Sequence, residues 1–280
     1  TTTQLGDLTA TDVADLSTAQ LAALSNTQVA ALTSTNLGLL ADTQVAALTT
    51  TQLQALSTTN LIALTDTQLA ALTAAQVVSL STTQVSALTA TNAAALTTTQ
   101  VSAVAVTQVA RLSTTAVSTL DATQMGALTI TQTRALSTTQ LNALTATDIG
   151  ELATTQIATL TGNQVRGLTT TNIDDLLETQ VAALGATQIQ ALSTTEIQSL
   201  SSTQVGAINT SGIAVINATQ LAALSSTQVR GLTATQIPVI DSTLVFDTNQ
   251  LLVLNGQQFG SLTNTQLQAL DTTHVAVFSL

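Results

Sequence analysis

Few side chains in this sequence are equipped for covalent or acid–base chemistry, and none stands in a constellation. His274 is the one histidine among 280 residues. A lone imidazole lacks the other ligands of a zinc site and the partner of a catalytic pair. It falls where most other segments carry Gln, so it is read as a substitute for that Gln. Asp174, Asp175 and Glu178 lie close together. They lack the acidic, Gly-containing loop pattern of a calcium site, so solvated surface charge is expected. Thr1 offers the amine and hydroxyl of an N-terminal nucleophile, but no general base accompanies it. Arg111, Arg134, Arg166 and Arg230 are the only cations besides His274. They occupy variable positions and are expected to be exposed, pairing with acids at little net energy. The expectation is therefore no enzyme, no metal and no cofactor.

Composition narrows the chemistry further. There is no Cys, Lys, Trp or Tyr, and only one Pro and one Met. Disulfides, thiolate nucleophiles, Schiff bases and phosphate-loop lysines are excluded with them. The formal net charge is -11, which argues against nucleic acid and anionic membrane as partners. Ser or Thr interrupts every apolar run, so no stretch approaches the roughly 20 residues of a membrane span. No basic n-region of a signal peptide is seen. The chain starts with Thr, so a processed product or a segment of something longer is expected.

The elements that carry these residues are dictated by a repeat of eight. Taking Leu as slot 1, it recurs at every multiple of eight from Leu8 to Ile240, with only Val104, Ile208, Ile216 and Ile240 replacing Leu. Slot 2 is mostly Ser or Thr. Slot 4 is nearly always Thr, slot 5 mostly Gln, slot 6 a branched aliphatic, and slot 8 usually Ala. Ile240 to Val245 is a six-residue unit next to Pro238, after which the octad resumes at Phe246. One solenoid over residues 1–280 is expected, with a register slip at 240–245 and a Phe-containing part at 246–280.

Slot 2 carries helix N-cap residues, and slot 5, three residues later, carries the Gln or Glu of a capping box. Slots 1 and 6 then form the hydrophobic staple, and the Ala of slot 8 favours helix. A single straight helix is ruled out, because eight residues overrun two turns by about 80° and the Leu stripe would spiral away. The fold class expected is all-α, a solenoid of very short capped helices. Slot 6 and slot 1 would form its spine, with slots 4 and 8 in close contact between coils and slot 4 hydroxyls bonding to backbone or across coils. The alternative is a β-solenoid, since slots 4, 6 and 8 alternate with 5 and 7, and Thr and Val favour strands.

The string from Leu24 to Leu32 resembles the first helix of TAL-effector repeats. That resemblance implies a helix, but not DNA binding, because no base-reading loop or basic residue accompanies the matching units. Over its whole length the chain resembles the Thr/Gln/Ala/Leu octapeptide tracts of large bacterial extracellular, adhesin-like surface proteins. That resemblance implies secretion to the cell surface, a structural role and assembly into fibres.

Phe246, Phe259 and Phe278 are the only aromatics and all follow the slip. They fill core slots or anchor an assembly. Neither end carries a polar cap, and uncapped solenoids invite head-to-tail stacking. The expected assembly interface comprises Thr1, Leu5, Phe246, Phe259, Phe278 and Leu280. The expected function is a self-assembling subunit of an extracellular filament or surface layer, a homo-oligomer with no nucleic acid and no membrane insertion. The alternative is an adhesin stalk, or a module whose regular Thr array binds ice or another surface.

Overall fold

The computed structural model describes residues 1–276. Among them are 33 α-helices, each of four to six residues, one short 3-10 turn and no strand. The helical expectation holds and the β-solenoid does not. The chain divides into two compact units, Thr1–Ala143 and Leu144–Leu280.

Each full octad is one short helix followed by two extended residues. In the helix Thr98–Ala103, the slot 2 residue Thr97 sits at φ -72 and ψ 158, and Val104 behind it at φ -52 and ψ 131. Among the described residues none adopts a positive φ, so these helices stop without the left-handed glycine that ends many others. They stop because the next slot 2 N–H is claimed elsewhere. Thr97 N–H donates to Gln100 Oε1 at 2.7 Å, and Gln100 N–H donates to Thr97 Oγ1 at 3.3 Å. This is the capping box expected from slots 2 and 5.

The Gln half of the box can act alone. Slot 2 is Ala, Leu or Gly at Ala41, Ala105, Ala153, Leu177 and Gly185, where no side chain can accept. There the backbone N–H still donates to the Gln oxygen, at 2.6 to 2.8 Å.

In both units the helices coil by the same rule. Each touches the helix three places on, as Asn26–Ala30 touches Thr50–Ala55 and Ser202–Ala207 touches Ser226–Gly231. Before the slip, most helices that have a layer behind them also bond, through a slot 5 Gln or Asn, to the helix four places back. Gln52 Nε2 donates to the carbonyls of Leu21 at 2.9 Å and Leu24 at 2.7 Å. A turn of the coil therefore takes about three and a half octads, and successive layers are staggered like bricks. Slots 6 and 1 fill the interior. Val45, Leu53, Val165 and Ile189 have no exposed surface, and Leu48, Leu56 and Leu192 almost none.

Slot 4 departs from its expected role. Thr43, Thr51 and Thr67 are exposed. Two of these hydroxyls bond the slot 2 hydroxyl of their own cap, Thr51 with Thr49 and Thr67 with Thr65, each at 3.1 Å. Slot 4 is the second residue of the helix, on the side away from the spine. The close approach between coils is made by slots 3, 7 and 8. A Cβ built on Gly206 would lie 2.5 Å from Gly231 O, and one on Gly231 would overlap the Ser202 carbonyl.

The slip at 240–245 costs the coil little. Pro238 lies in the 3-10 turn Ile237–Val239, where its missing N–H breaks no α-helical bond. Gln236 still caps Thr233 at 2.7 Å and reaches Ile208 O at 2.6 Å. The six-residue unit forms no helix. Asp241 holds it as a tight turn, accepting from Thr243 N–H at 2.8 Å. Beyond it, Gln250, Gln258 and Gln266 reach back 29 and 26 residues instead of 31 and 28. The missing two residues are removed from the loop, and the layer contact is kept.

Glycine substitutions test the close approach. Gly231→Ala pushes a methyl into backbone and is expected to lower the urea midpoint of the purified chain. Gly126→Ala has open space around its Cβ. It should raise stability by roughly 0.5–1 kcal/mol, the helix advantage of Ala over Gly.

Candidate functional site

The recurring chemical element is the slot 5 amide, a row of buried Gln and Asn side chains. Gln52, Gln68, Gln100 and Gln180 are each 1% exposed. The amide oxygen caps its own helix, and the amide nitrogen donates to the preceding layer. Gln100 Nε2 lies 2.8 Å from Leu69 O and 2.6 Å from Leu72 O. Gln228 Nε2 lies 2.7 Å from both Ile197 O and Leu200 O. Those carbonyls belong to slot 6 and slot 1, the last turn of a helix and the residue after it, where acceptors have no partner within the helix. One side chain thus completes the start of one helix and the finish of another. Asn, one methylene shorter, bonds a single carbonyl of the layer behind, in slot 1 at Asn36 and Asn60 and in slot 7 at Asn92. Asn36 reaches Leu8 O at 2.9 Å and Asn60 reaches Leu32 O at 2.8 Å.

Departures from Gln are informative. Gly212 leaves slot 5 empty, and a Cβ there would lie 2.8 Å from Ile189 Cγ1. Its slot 2 partner Asn209 keeps its own cap and takes over the bond to the layer behind. Asn209 Oδ1 accepts from Gly212 N–H at 2.9 Å, and Nδ2 donates to Leu184 O at 2.6 Å and Ala182 O at 3.0 Å. The sequence signal for this exchange is a slot 2 Asn coinciding with a slot 5 Gly. Glu196 is buried in slot 5 and accepts from Ser193 N–H at 2.6 Å. A carboxylate offers no amide donor toward the layer behind it.

The ladder gives every layer a direction, with amide donors on one face and backbone acceptors on the other. The layer of residues 1–32 presents the donor face. Gln4 and Gln20 are exposed and Gln28 is half-buried. Their amide nitrogens bond nothing among the described residues. Leu8, Leu16 and Leu24 are half-buried, whereas Leu32, Leu40 and Leu48 in covered positions are buried. The layer of helices Thr248–Leu252, Gly256–Gly260, Asn264–Gln268 and Thr272–Ala276 presents the acceptor face. There two slot 6 residues are uncovered, Leu267 39% and Val275 55% exposed, while Leu251 is 1% exposed. Leu251, Leu252, Leu254, Gly256 and Phe259 line an apolar groove on it.

The residues singled out from sequence fall as follows. Thr1 is exposed and caps the first helix, its ammonium donating to Gln4 Oε1 at 2.8 Å. Leu5 is half-buried on the donor-face layer, and Phe259 is half-buried at the groove of the acceptor face. Phe246 is 4% exposed; it fills core volume, and that burial removes it from the candidate interface. Phe278 and Leu280 lie outside the described residues. His274 replaces Gln as a cap, its Nδ1 lying 2.7 Å from Asp271 Oδ1 and 3.3 Å from Asp271 N. Arg111, Arg134, Arg166 and Arg230 are all exposed, and Arg166 Nε donates to Ala191 O at 3.4 Å. Asp174 and Glu178 are exposed and Asp175 half-buried. Among the described residues, no three His, Asp or Glu gather where they could hold a metal, and no helix is long and apolar enough to cross a membrane.

Four capping carboxylates are held below the usual carboxylate range by the donors they cap. The Thr9 hydroxyl and then the Thr9 N–H lower Asp12. The Thr123 hydroxyl and the Gln124 N–H lower Asp121. The Thr243 N–H and hydroxyl lower Asp241, and the His274 N–H leads at Asp271.

The family model that matches the chain is described as the ALTTAQ repeat, and it covers residues 13–50 and 45–82. Its six letters read as slots 8, 1, 2, 3, 4 and 5. Its two matches begin 32 residues apart, four octads, the same step that separates a Gln from the helix it staples. No curated protein matches the chain.

Two predictions follow from the ladder and its caps. Gln100→Glu keeps the cap on Thr97 but turns an acceptor toward the Leu69 and Leu72 carbonyls. It should cost about 1–3 kcal/mol, read as a lower urea midpoint, while Glu196→Gln restores a donor and should raise the midpoint. The second concerns acid. A carboxylate whose folded pKa is depressed contributes its full stability above the unfolded pKa, and loses it as pH falls through the folded value. Melting temperature should therefore hold until pH nears the unfolded Asp value of about 4 and drop below it. Asp121→Ser, which keeps a cap acceptor, should soften that drop.

Proposed function

We propose that this chain is a structural, self-assembling protein that extends by stacking the donor face of one copy on the acceptor face of another. The observation that carries the reading is the complementarity of the two faces. One offers amide donors and half-buried slot 1 leucines; the other offers carbonyls, exposed slot 6 side chains and an apolar groove. The covered layers within each unit are built from the same two faces. A head-to-tail contact of this kind leaves a free face at each end, and it propagates wherever its rotation does not close a ring. The finer setting proposed is a secreted filament or surface layer on a bacterial cell, which rests on the resemblance of the octads to extracellular repeat tracts.

A second reading is favoured by the outer surface. Slots 3 and 4 present exposed Thr in successive octads, such as Thr50, Thr51 and Thr67. A regular array of hydroxyls beside methyls suits adhesion to an ordered surface, ice included.

Light scattering across a concentration series and electron microscopy of the purified chain test the first reading. Concentration-dependent growth into fibres or sheets of stacked layers is expected. A chain that stays monomeric at high concentration and forms no fibres overturns it, and thermal hysteresis in that monomer would favour the second reading.

A further inference from the structure

Three positions break the repeat on the outer surface, where no core demands it. Between Leu8 and Ile240, slot 3 is Ala, Ser, Thr, Gly, Asn, Asp or Glu except at Val106 and Ile130. Slot 2 carries one large aliphatic residue over the same span, Leu177. All three are exposed, Val106 by 43%, Ile130 by 51% and Leu177 by 52%. Apolar side chains scattered singly over a surface are ordinary, but Val106 and Ile130 are neighbours. Their helices, Val106–Val109 and Ile130–Ala135, touch. Val78, also exposed, lies a layer further back, where Gln108 Nε2 donates to its carbonyl at 3.0 Å. Val106 lines an open groove of about 350 Å³ with Thr131, Arg134 and Ala135.

Charge sorts these positions into two patches. Residues 67–147 carry Arg111 and Arg134 against Asp121 alone, so this stretch is net positive in a chain whose net charge is -11. Both Arg side chains are exposed. Arg111 follows the Val106 helix, and Arg134 flanks the groove. Residues 167–229 carry Asp174, Asp175, Glu178 and Glu196 and no cation. There Leu177 stands with Asp174 and Glu178 on a second open groove of about 460 Å³. The first patch lies within the unit Thr1–Ala143 and the second within Leu144–Leu280.

We propose that the two patches are the halves of a lateral contact between copies of this chain, with Leu177 of one copy seated against Val106 and Ile130 of another. The occupant follows from charge. Two chains this acidic repel each other over most of their surfaces. The cationic patch is where that repulsion reverses, and Leu177 brings both the apolar side chain and the counter-charges to meet it. Leu177 leaves water for a groove of aliphatic groups, and the rim charges fix which patch it meets. The contact is heterologous, because each copy brings one patch of each kind. It uses side chains of the outer surface and none of the stacking faces, so it stands apart from the stacking reading.

The test is sedimentation equilibrium of the full chain and its variants at low and high salt, with circular dichroism to verify folding. Leu177→Ser installs the residue type that slot 2 ordinarily carries, so the fold is kept. The association constant should fall about tenfold, the worth of burying one leucine. Arg134→Glu and Glu178→Arg should each weaken association about fivefold, as one exposed ion pair can, and high salt should erase that difference. Glu178→Arg makes the chain less acidic, so association governed by net charge alone would strengthen instead. An equimolar mixture of the two reversed variants should associate as the unaltered chain does, because each patch then meets its complement. If Leu177→Ser leaves association unchanged, or Glu178→Arg strengthens it, or the mixture recovers nothing, the pairing is overturned while stacking stands. If the unaltered chain stays monomeric throughout, this inference and the stacking function both fail.

Discussion

The structure depends on one hydrogen-bonding arrangement, the buried primary amide of slot 5. A helix of six residues leaves most of its backbone donors and acceptors without intrahelical partners. Short helices are also marginal in water because nucleation is costly. The Gln side chain answers both problems at once. Its oxygen takes the slot 2 N–H, which ends the preceding helix and starts its own. Its nitrogen takes carbonyls left over at a helix end one layer away. Neither Glu nor a hydroxyl residue can do both, since one lacks a donor and the other lacks reach.

Because the same amide sets both the bend and the layer contact, errors in one are absorbed by the other. At Asn209 and Gly212 the layer bond passes to the slot 2 side chain, which caps Gly212 and still reaches Leu184 O. At 240–245 two residues and a helix are missing, yet Gln250 and Gln258 bond the slots that a full octad would have delivered. The coil is held by where the amides land. The number of residues between them matters less. The apolar spine supplies most of the burial, but aliphatic contacts are not directional, and the amides give the layers their register and their polarity.

That polarity links the fold to the function proposed. A stack held by aliphatic side chains alone would present similar faces fore and aft. Here the amides all point one way, so the two faces of a layer differ and fit each other. The groups that hold the layers together are amides and backbone carbonyls.

Much of this was written in the sequence. The octad, the cap at slot 2, the staple of slots 1 and 6, the slip at 240–245 and the helical fold class follow from residue types at fixed spacing, because capping and amphipathicity are local. His274 reads correctly as a cap, since it occupies a Gln position beside an Asp. Phe246, included among the assembly residues, is core, and its pattern is that of any apolar slot 1 residue. Slot 4 was assigned to coil contacts, whereas Thr43 and Thr51 face solvent. That error arises because neighbouring slots of a short helix differ only by where the next layer lies. The second task of Gln, the three and a half octads per turn and the difference between the two faces were decided by tertiary structure alone. Each is a relation between residues about 28 positions apart, and an eight-residue repeat presents every such pairing as equivalent until the coil closes on one of them.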